Sequence, residues 1–272
     1  MPPASRSRKT TISPDPDPFI LVTGPMRSGT TLMGELLYSR AYREPRHPHL
    51  AFDNNEGRTV AAVGAEGAPA AQDLAAIRSE ILTLAPSRDP KVLGAKVTHR
   101  ALAQIEALEA IFPKLVLVIC VRDPVAIYRS HRARRSLSAA AALQICRAIN
   151  VNEALITART DALIVEYDEL VRRPELAIRR VLAAAGLDPD HYDWASLHQG
   201  RVAANSSFSS AGAAQFTLDH GLRRTRARGP VSRLERALIE TACEPTFRRL
   251  DLPLTSTKAE RTGLRSLFPS DL

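Results

Sequence analysis

The segment from Phe19 to Leu37 constrains the fold of this chain more than any other part of it. Phe19-Ile20-Leu21-Val22-Thr23 is a short, β-branched apolar run with no polar alternation, the pattern of a strand that meets water on neither face. It runs directly into Gly24-Pro25-Met26-Arg27-Ser28-Gly29-Thr30-Thr31, and from Thr30 the apolar residues recur at helical spacing. The unit is therefore strand, glycine loop, helix. Gly24 and Gly29 stand five apart, as in phosphate loops of the pattern G-x-x-x-x-G-K-[ST]. Such a loop turns successive backbone N–H groups towards an anion at a helix N-terminus, where unpaired donors and the helix dipole both favour negative charge. Thr30 and Thr31 add hydroxyl donors. The lysine that nucleotide triphosphatases place after the second glycine is Thr30 here, and a cation stands earlier, at Arg27. A triphosphate hydrolase needs that lysine. A basic side chain inside the loop can instead neutralise charge on an oxygen bridging a phosphate and a transferred group. The plainer alternative is a glycine turn before a helix with a solvated Arg27; the strand before the loop and the helix after it favour the phosphate reading.

The rest of the chain repeats the alternation. Residues 1–17 are rich in Pro, Ser/Thr and basic residues, and Pro14-Asp15-Pro16-Asp17-Pro18 continues neither a helix nor a central strand. They read as a flexible leader. Residues 41–70 mix Pro, His, Asn and Gly with little periodicity and read as a long loop or lid. Helical spacing over 73–84 precedes a short strand over 91–97, and a helix over 101–111 ends at Pro113. Leu115-Val116-Leu117-Val118-Ile119-Cys120-Val121 is the most apolar run and reads as a central parallel strand. After it, Asp123 and Pro124 are suited to the N-cap and first position of a helix. A long helix reaches about Ala158, followed by a strand over 162–166 and a helix from Pro174 closed by Gly186. The expected class is α/β, a mainly parallel central sheet flanked by helices. One domain over 18–252 is expected, with a C-terminal tail over 253–272.

Charge narrows the ligand. Lys and Arg number 37 against 29 Asp and Glu, a net charge of +8 that favours an anionic partner. With 5% aromatic residues there is little material for base-stacking platforms, which argues against nucleic acid. No run reaches the ~18–20 apolar residues of a membrane span, and the N-terminus lacks the apolar core of a secretory signal. A cytoplasmic protein is expected. Cys120, Cys146 and Cys243 have no Cys or His partner at metal-ligand spacing and read as reduced structural residues, so no metal is expected.

A second anion site is suggested by Arg122-Asp123-Pro124 followed by Ser130. An arginine at the carboxyl end of a central parallel strand faces the crevice where α/β sheets bind ligands, and its fork suits a phosphate. Eight residues separate Arg122 from Ser130, about two helical turns plus the joint, enough to return Ser130 to the same side.

Taken together, the two motifs resemble those of sulfotransferases that use 3′-phosphoadenosine-5′-phosphosulfate (PAPS), in particular the bacterial and carbohydrate-type branch. The resemblance implies a P-loop-containing nucleotide-binding fold of sulfotransferase type. It assigns Arg27, Ser28, Gly29, Thr30 and Thr31 to the 5′-phosphosulfate, and Arg122 and Ser130 to the 3′-phosphate. Softer matches run to about residue 250. Tyr167-Asp168-Glu169-Leu170 looks like a segment whose tyrosine lies near the adenine, Ser206-Ser207-Phe208 is similar to one bordering the base, and Arg226-Ala227-Arg228-Gly229 resembles a loop closing over the 3′-phosphate. The resemblance thus adds Tyr167, Ser207, Phe208, Arg228 and Gly229 to the donor site. In animal cytosolic enzymes a tryptophan follows the two threonines to stack on adenine. Leu32 stands there in this chain.

Sulfuryl transfer asks a protein for positioning, charge stabilisation and a base. Arg27 and the loop amides suit the first two without a metal. For the base the resemblance offers two residues. His99, in Lys96-Val97-Thr98-His99, is similar to the Lys-Thr-His of cytosolic enzymes, though Val97 interrupts it. Glu44 resembles the glutamate that carbohydrate sulfotransferases place after the first helix. Lys96 would assist near the transferred group. The resemblance implies an unidentified small-molecule or carbohydrate acceptor with a hydroxyl or amine. The competing readings are a P-loop nucleotide or small-molecule kinase, which should carry the missing lysine, and a basic nucleic-acid-binding protein using Arg132–Arg135 and Arg223–Arg228.

Overall fold

The computed structural model of the chain describes residues 18–39, 43–54, 70–84, 90–97, 102–132, 137–198, 202–203, 215–216 and 231–265. The chain runs β1 (Phe19–Thr23), α1 (Thr30–Leu37), β2 (Tyr38–Ser39), β3 (Glu44–Pro45), β4 (Leu50–Asp53), α2 (Ala70–Leu84), β5 (Val92–Lys96), α3 (Leu102–Ile111) and β6 (Leu115–Val121). Then come α4 (Pro124–Arg132), α5 (Ala139–Ala158), β7 (Leu163–Glu166), α6 (Tyr167–Arg172), α7 (Pro174–Ala184), a 3-10 turn at Pro189–His191 and α8 (Trp194–His198). Two short strands, β8 (Val202–Ala203) and β9 (Gln215–Phe216), precede α9 (Arg233–Ala242), α10 (Glu244–Arg249) and α11 (Lys258–Arg265).

Five strands form one parallel sheet in the order β4-β5-β1-β6-β7. β1 lies at its centre and its five residues are buried. Alternate side chains enter opposite layers: Ile20 and Val22 pack with Leu36 of α1 and Ile178 and Val181 of α7, while Phe19 and Leu21 pack with Ile81, Ile105 and Leu155 of α2, α3 and α5. Two-sided burial is why this strand reads as continuously apolar, each such side chain contributing about 1.5–3 kcal/mol before entropic costs. From β1 the chain moves to one side through β4 and β5, then crosses to β6 and β7 on the other. Strand order therefore reverses at β1, and the crevice beyond its carboxyl end is where a parallel sheet admits a ligand.

Local chemistry accounts for the boundaries. Asp123 Oδ1 accepts from Val125 N–H at 2.8 Å and starts α4. Gly186, at φ 77°, closes α7 with a paired turn: its own N–H donates to Ala183 O at 3.0 Å, and the Leu187 N–H donates to Leu182 O at 2.9 Å. Within 41–70, read as loop, Glu44–Pro45 forms the short strand β3 against β2, and Leu50–Asp53 forms the edge strand β4, paired with Val92–Ala95 of β5. Four residues between His/Pro and Asn are too few to show a period, and only the waiting edge of β5 makes them a strand.

A third apolar cluster joins Val125, Ile127 and Tyr128 of α4 to Ile149 of α5, Ile239 of α9 and Phe247 of α10. Residues 253–265, expected as a tail, are tied to it. The fully buried Glu240 accepts from Thr255 N–H at 3.0 Å and Ser256 N–H at 2.8 Å, and from both hydroxyls. A boundary at 252 cuts through this packed group. The leader, residues 1–17, lies outside the described residues. Among the described residues no helix is long and apolar enough to cross a membrane.

Candidate active site

The loop after β1 has the backbone its glycines permit. Gly24 and Gly29 have φ of 150° and 113°, and Arg27 takes φ 75°, a left-handed conformation that costs a residue with a Cβ about 1–2 kcal/mol. Gly24 lies hard against β6: a Cβ there would stand 2.6 Å from Cys120 O. Gly29 is the N-cap of α1, and Ser28 N–H bonds Pro25 O at 3.1 Å. The Ser28 hydroxyl is buried and has no hydrogen-bond partner among the described residues. It sits beneath the loop, 2.7 Å from where a Cβ on Gly24 would stand, while the N–H groups at a helix start suit an anion.

Folding brings the second motif to this loop. Arg27 Nε donates to Ser130 Oγ at 2.8 Å, and Arg122 Nη1 donates to Arg27 O at 3.0 Å. The Arg122 guanidinium lies over the Tyr167 ring, 3.8 Å from its centroid. Lys96 ends β5, fully buried, with Nζ 3.4 Å from Thr31 Oγ1. Thr30 begins α1 and is buried. Arg27, Ser28, Gly29, Thr30, Thr31, Lys96, Arg122, Ser130 and Tyr167 thus gather around the carboxyl ends of β1, β5, β6 and β7. Burial pushes the Cys120 thiol up to about 12, against the pull of the Lys96 charge, so this cysteine is an inert wall rather than a nucleophile.

The two candidate bases are placed differently. Glu44 is exposed on β3, opposite Ser39, outside the group that ties Arg27 to Ser130 and Arg122. His99 lies outside the described residues, as do Ser207, Phe208, Arg228 and Gly229. His47 and His49 are at the amino ends of the strands, away from this crevice: Leu50 N–H bonds His47 O and Val92 N–H bonds His49 O.

Sequence reasoning missed two supporting groups. Buried Glu35 of α1, one turn after Thr31, accepts from Asn54 Nδ2 at 3.1 Å, and the same amide reaches Tyr38 O at 3.2 Å; Asp53 beside them is also buried. Its only trace is an acid inside an otherwise apolar helix. The other group orients α4, which carries Ser130. Glu235 accepts from Tyr128 Oη at 2.7 Å and from Arg132 Nη1 at 2.8 Å. Burial raises the Glu235 carboxyl, but its bonds to Tyr128 and Ser232 and the Arg132 charge hold it at about 2. Its signal is the reciprocal capping pair Ser232–Glu235.

The profile of the sulfotransferase family matches residues 18–191, well over half of the 272 residues. A search of curated protein sequences returned no match. Among solved structures, sulfotransferase STF9 from Mycobacterium avium superposes with a TM-score of 0.50 at 13% identity, covering 90% of this chain and 79% of that one. A sulfotransferase from Alicyclobacillus acidocaldarius gives 0.49 at 13% identity, covering 90% of this chain and 98% of that one. With the parallel sheet, the glycine loop at its reversal point and this profile match, the chain belongs to the sulfotransferase family.

Proposed function

We propose that this enzyme transfers a sulfuryl group from PAPS to a hydroxyl or amine of a small-molecule or carbohydrate acceptor by in-line displacement. The observation that carries the reading is the union of two motifs: Arg27 bonds a hydroxyl 103 residues away and receives a bond from an arginine 95 residues away. A donor with a 5′-phosphosulfate and a separate 3′-phosphate requires two such anion sites in one crevice.

In this reading the loop amides, Ser28, Thr30 and Thr31 hold the 5′ end, and Arg122 and Ser130 hold the 3′-phosphate. Tyr167, Ser207 and Phe208 border the adenine, and Arg228 and Gly229 close over the phosphate. When bound, the donor supplies the activated sulfuryl group and a phosphate leaving group. Arg27 takes up the charge that develops on the bridging oxygen as the sulfur–oxygen bond breaks, and buried Lys96 adds positive field. The acceptor's proton passes to a base drawn from Glu44 and His99 as the new bond to sulfur forms. The unit responsible starts at residue 18 and includes the C-terminal helices that hold α4. Its three free, buried cysteines suit the reducing cytoplasm.

Calorimetry tests the reading. Adenosine 3′,5′-bisphosphate should bind tightly and ATP weakly, and Arg122→Ala should lose bisphosphate affinity while still unfolding cooperatively. Tighter ATP binding would sink the proposal in favour of a kinase. Single-turnover transfer by Glu44→Gln and His99→Ala decides the base, once labelled PAPS and a panel of hydroxylated compounds have supplied an acceptor.

A further inference from the structure

The sheet register brings one aromatic ring into contact with both anion sites. Val121 of β6 pairs with Glu166 of β7, so the next residue after each, Arg122 and Tyr167, emerge side by side at the carboxyl edge. The guanidinium lies over the ring at 3.8 Å from its centroid, inside the range where the negative ring face attracts a cation. Along its edge the ring meets the start of α1. A Cβ on Gly29 would stand 2.8 Å from Tyr167 Cδ2 and 3.8 Å from Leu170 Cδ2. Leu170, one turn along α6, is fully buried and anchors the helix from which Tyr167 projects. The ring therefore meets the N-cap of the phosphate loop with an edge and the arginine of the second site with a face, and Arg122 closes the circuit by donating to Arg27 O at 3.0 Å.

We infer that Tyr167 is a positioning residue for the 3′-phosphate, presenting Arg122 in a fixed orientation through its ring face and locking it to the phosphate loop. This deepens the PAPS reading, on which it rests, and gives Tyr167 a role separate from the adenine contact. A guanidinium stacked on a ring keeps its in-plane donors for other partners. The side-chain entropy otherwise lost when the phosphate binds is then already spent, which raises affinity for that phosphate alone.

The test compares adenosine 3′,5′-bisphosphate with AMP, which differ only by the 3′-phosphate, on wild type, Tyr167→Phe and Tyr167→Leu. Phe keeps the ring face and should keep the wild-type affinity ratio. Leu should lower bisphosphate affinity about tenfold more than AMP affinity, consistent with a partly desolvated cation–π contact, because any loss of the adenine contact weakens both nucleotides alike. Equal losses for both nucleotides would assign Tyr167 to the base and overturn the inference. Should wild type bind neither nucleotide, the PAPS reading falls, and the positioning role is judged by NMR instead. The Arg122 Nε–Hε resonance must lose its ring-current shift in the Leu variant and recover it in the Phe variant; an unchanged resonance in all three refutes it. A melt of each variant separates either result from simple unfolding.

Discussion

Gly29→Ala tests how tightly the phosphate loop is built. At φ 113° a Cβ imposes a backbone penalty of about 1–2 kcal/mol. The added methyl would lie 2.8 Å from Tyr167 Cδ2, where carbon–carbon contacts settle near 3.5–4.0 Å. The ring must retreat by about 0.7 Å or more, but Leu170 and the Arg122 guanidinium confine it, an overpacking cost of about 1–3 kcal/mol. Alanine stiffens the unfolded chain and returns about 0.4–1 kcal/mol. The net loss is about 2–4 kcal/mol, or a fall in melting temperature of about 5–15 °C for a chain of this size. Urea unfolding should show the midpoint falling with the slope unchanged. The cycle with Tyr167→Leu isolates the steric share: the double variant should be about 1–2 kcal/mol more stable than the two single losses predict. A Gly29→Ala protein within about 0.5 kcal/mol of wild type, or no coupling to Tyr167, would refute the reasoning.

Gly263→Ala is the opposite case, since a Cβ on this α11 residue meets nothing within 4 Å; it should stabilise by up to about 1 kcal/mol, and a loss in urea unfolding would contradict that. Glu240→Gln removes charge from a carboxylate that burial pushes up but that bonds from Ser256 and Thr255 hold at about 2. The variant should unfold about 2–4 kcal/mol more easily. Because the folded value is depressed, wild type should keep this contribution above about pH 4.3 and lose it as pH falls towards 2, a slope absent from the variant. His47 is buried, and its value is lowered by desolvation and by the neighbouring His49 and His191 against a bond to Asp188 O. Its Nδ1 accepts from His49 N–H at 3.2 Å and its Nε2 bonds Asp188 O at 3.0 Å, so a proton on Nδ1 would displace an existing bond. The unfolded chain takes that proton first, and stability should be full above about pH 6.5 and decline below it. Thermal melts of His47→Gln with the same pH slope as wild type would remove His47 from the cause.

Two elements show how far local pattern reaches. The boundaries of β1 and β6 follow from their apolar runs alone, because a strand buried on both faces leaves no polar residue inside it. The strand–glycine loop–helix unit over Gly24 to Thr31 is equally local: the turn, the helix start and the arginine lie within a few residues of one another. Arg122 and Ser130 were legible as a spacing, since strand end and helix turn set their relation over eight residues. β4 was not, because its four residues become a strand only against the edge of β5. Nor was the support of Ser130, which depends on Glu235, 107 residues beyond Tyr128.

Sequence by itself therefore determined the α/β class, the glycine loop between strand and helix, and the Arg122–Ser130 spacing, all properties of short contiguous stretches. Tertiary structure decided that Arg27 bonds Ser130, that Arg122 lies on Tyr167, and that a buried Glu35 holds the Asn54 amide behind α1. Those relations come from strand order and register, which bring Arg27 and Ser130 to 2.8 Å and Arg122 to 3.8 Å from a ring centre although each pair lies far apart in the chain. Side-chain chemistry names possible partners, and only the packed sheet chooses among them.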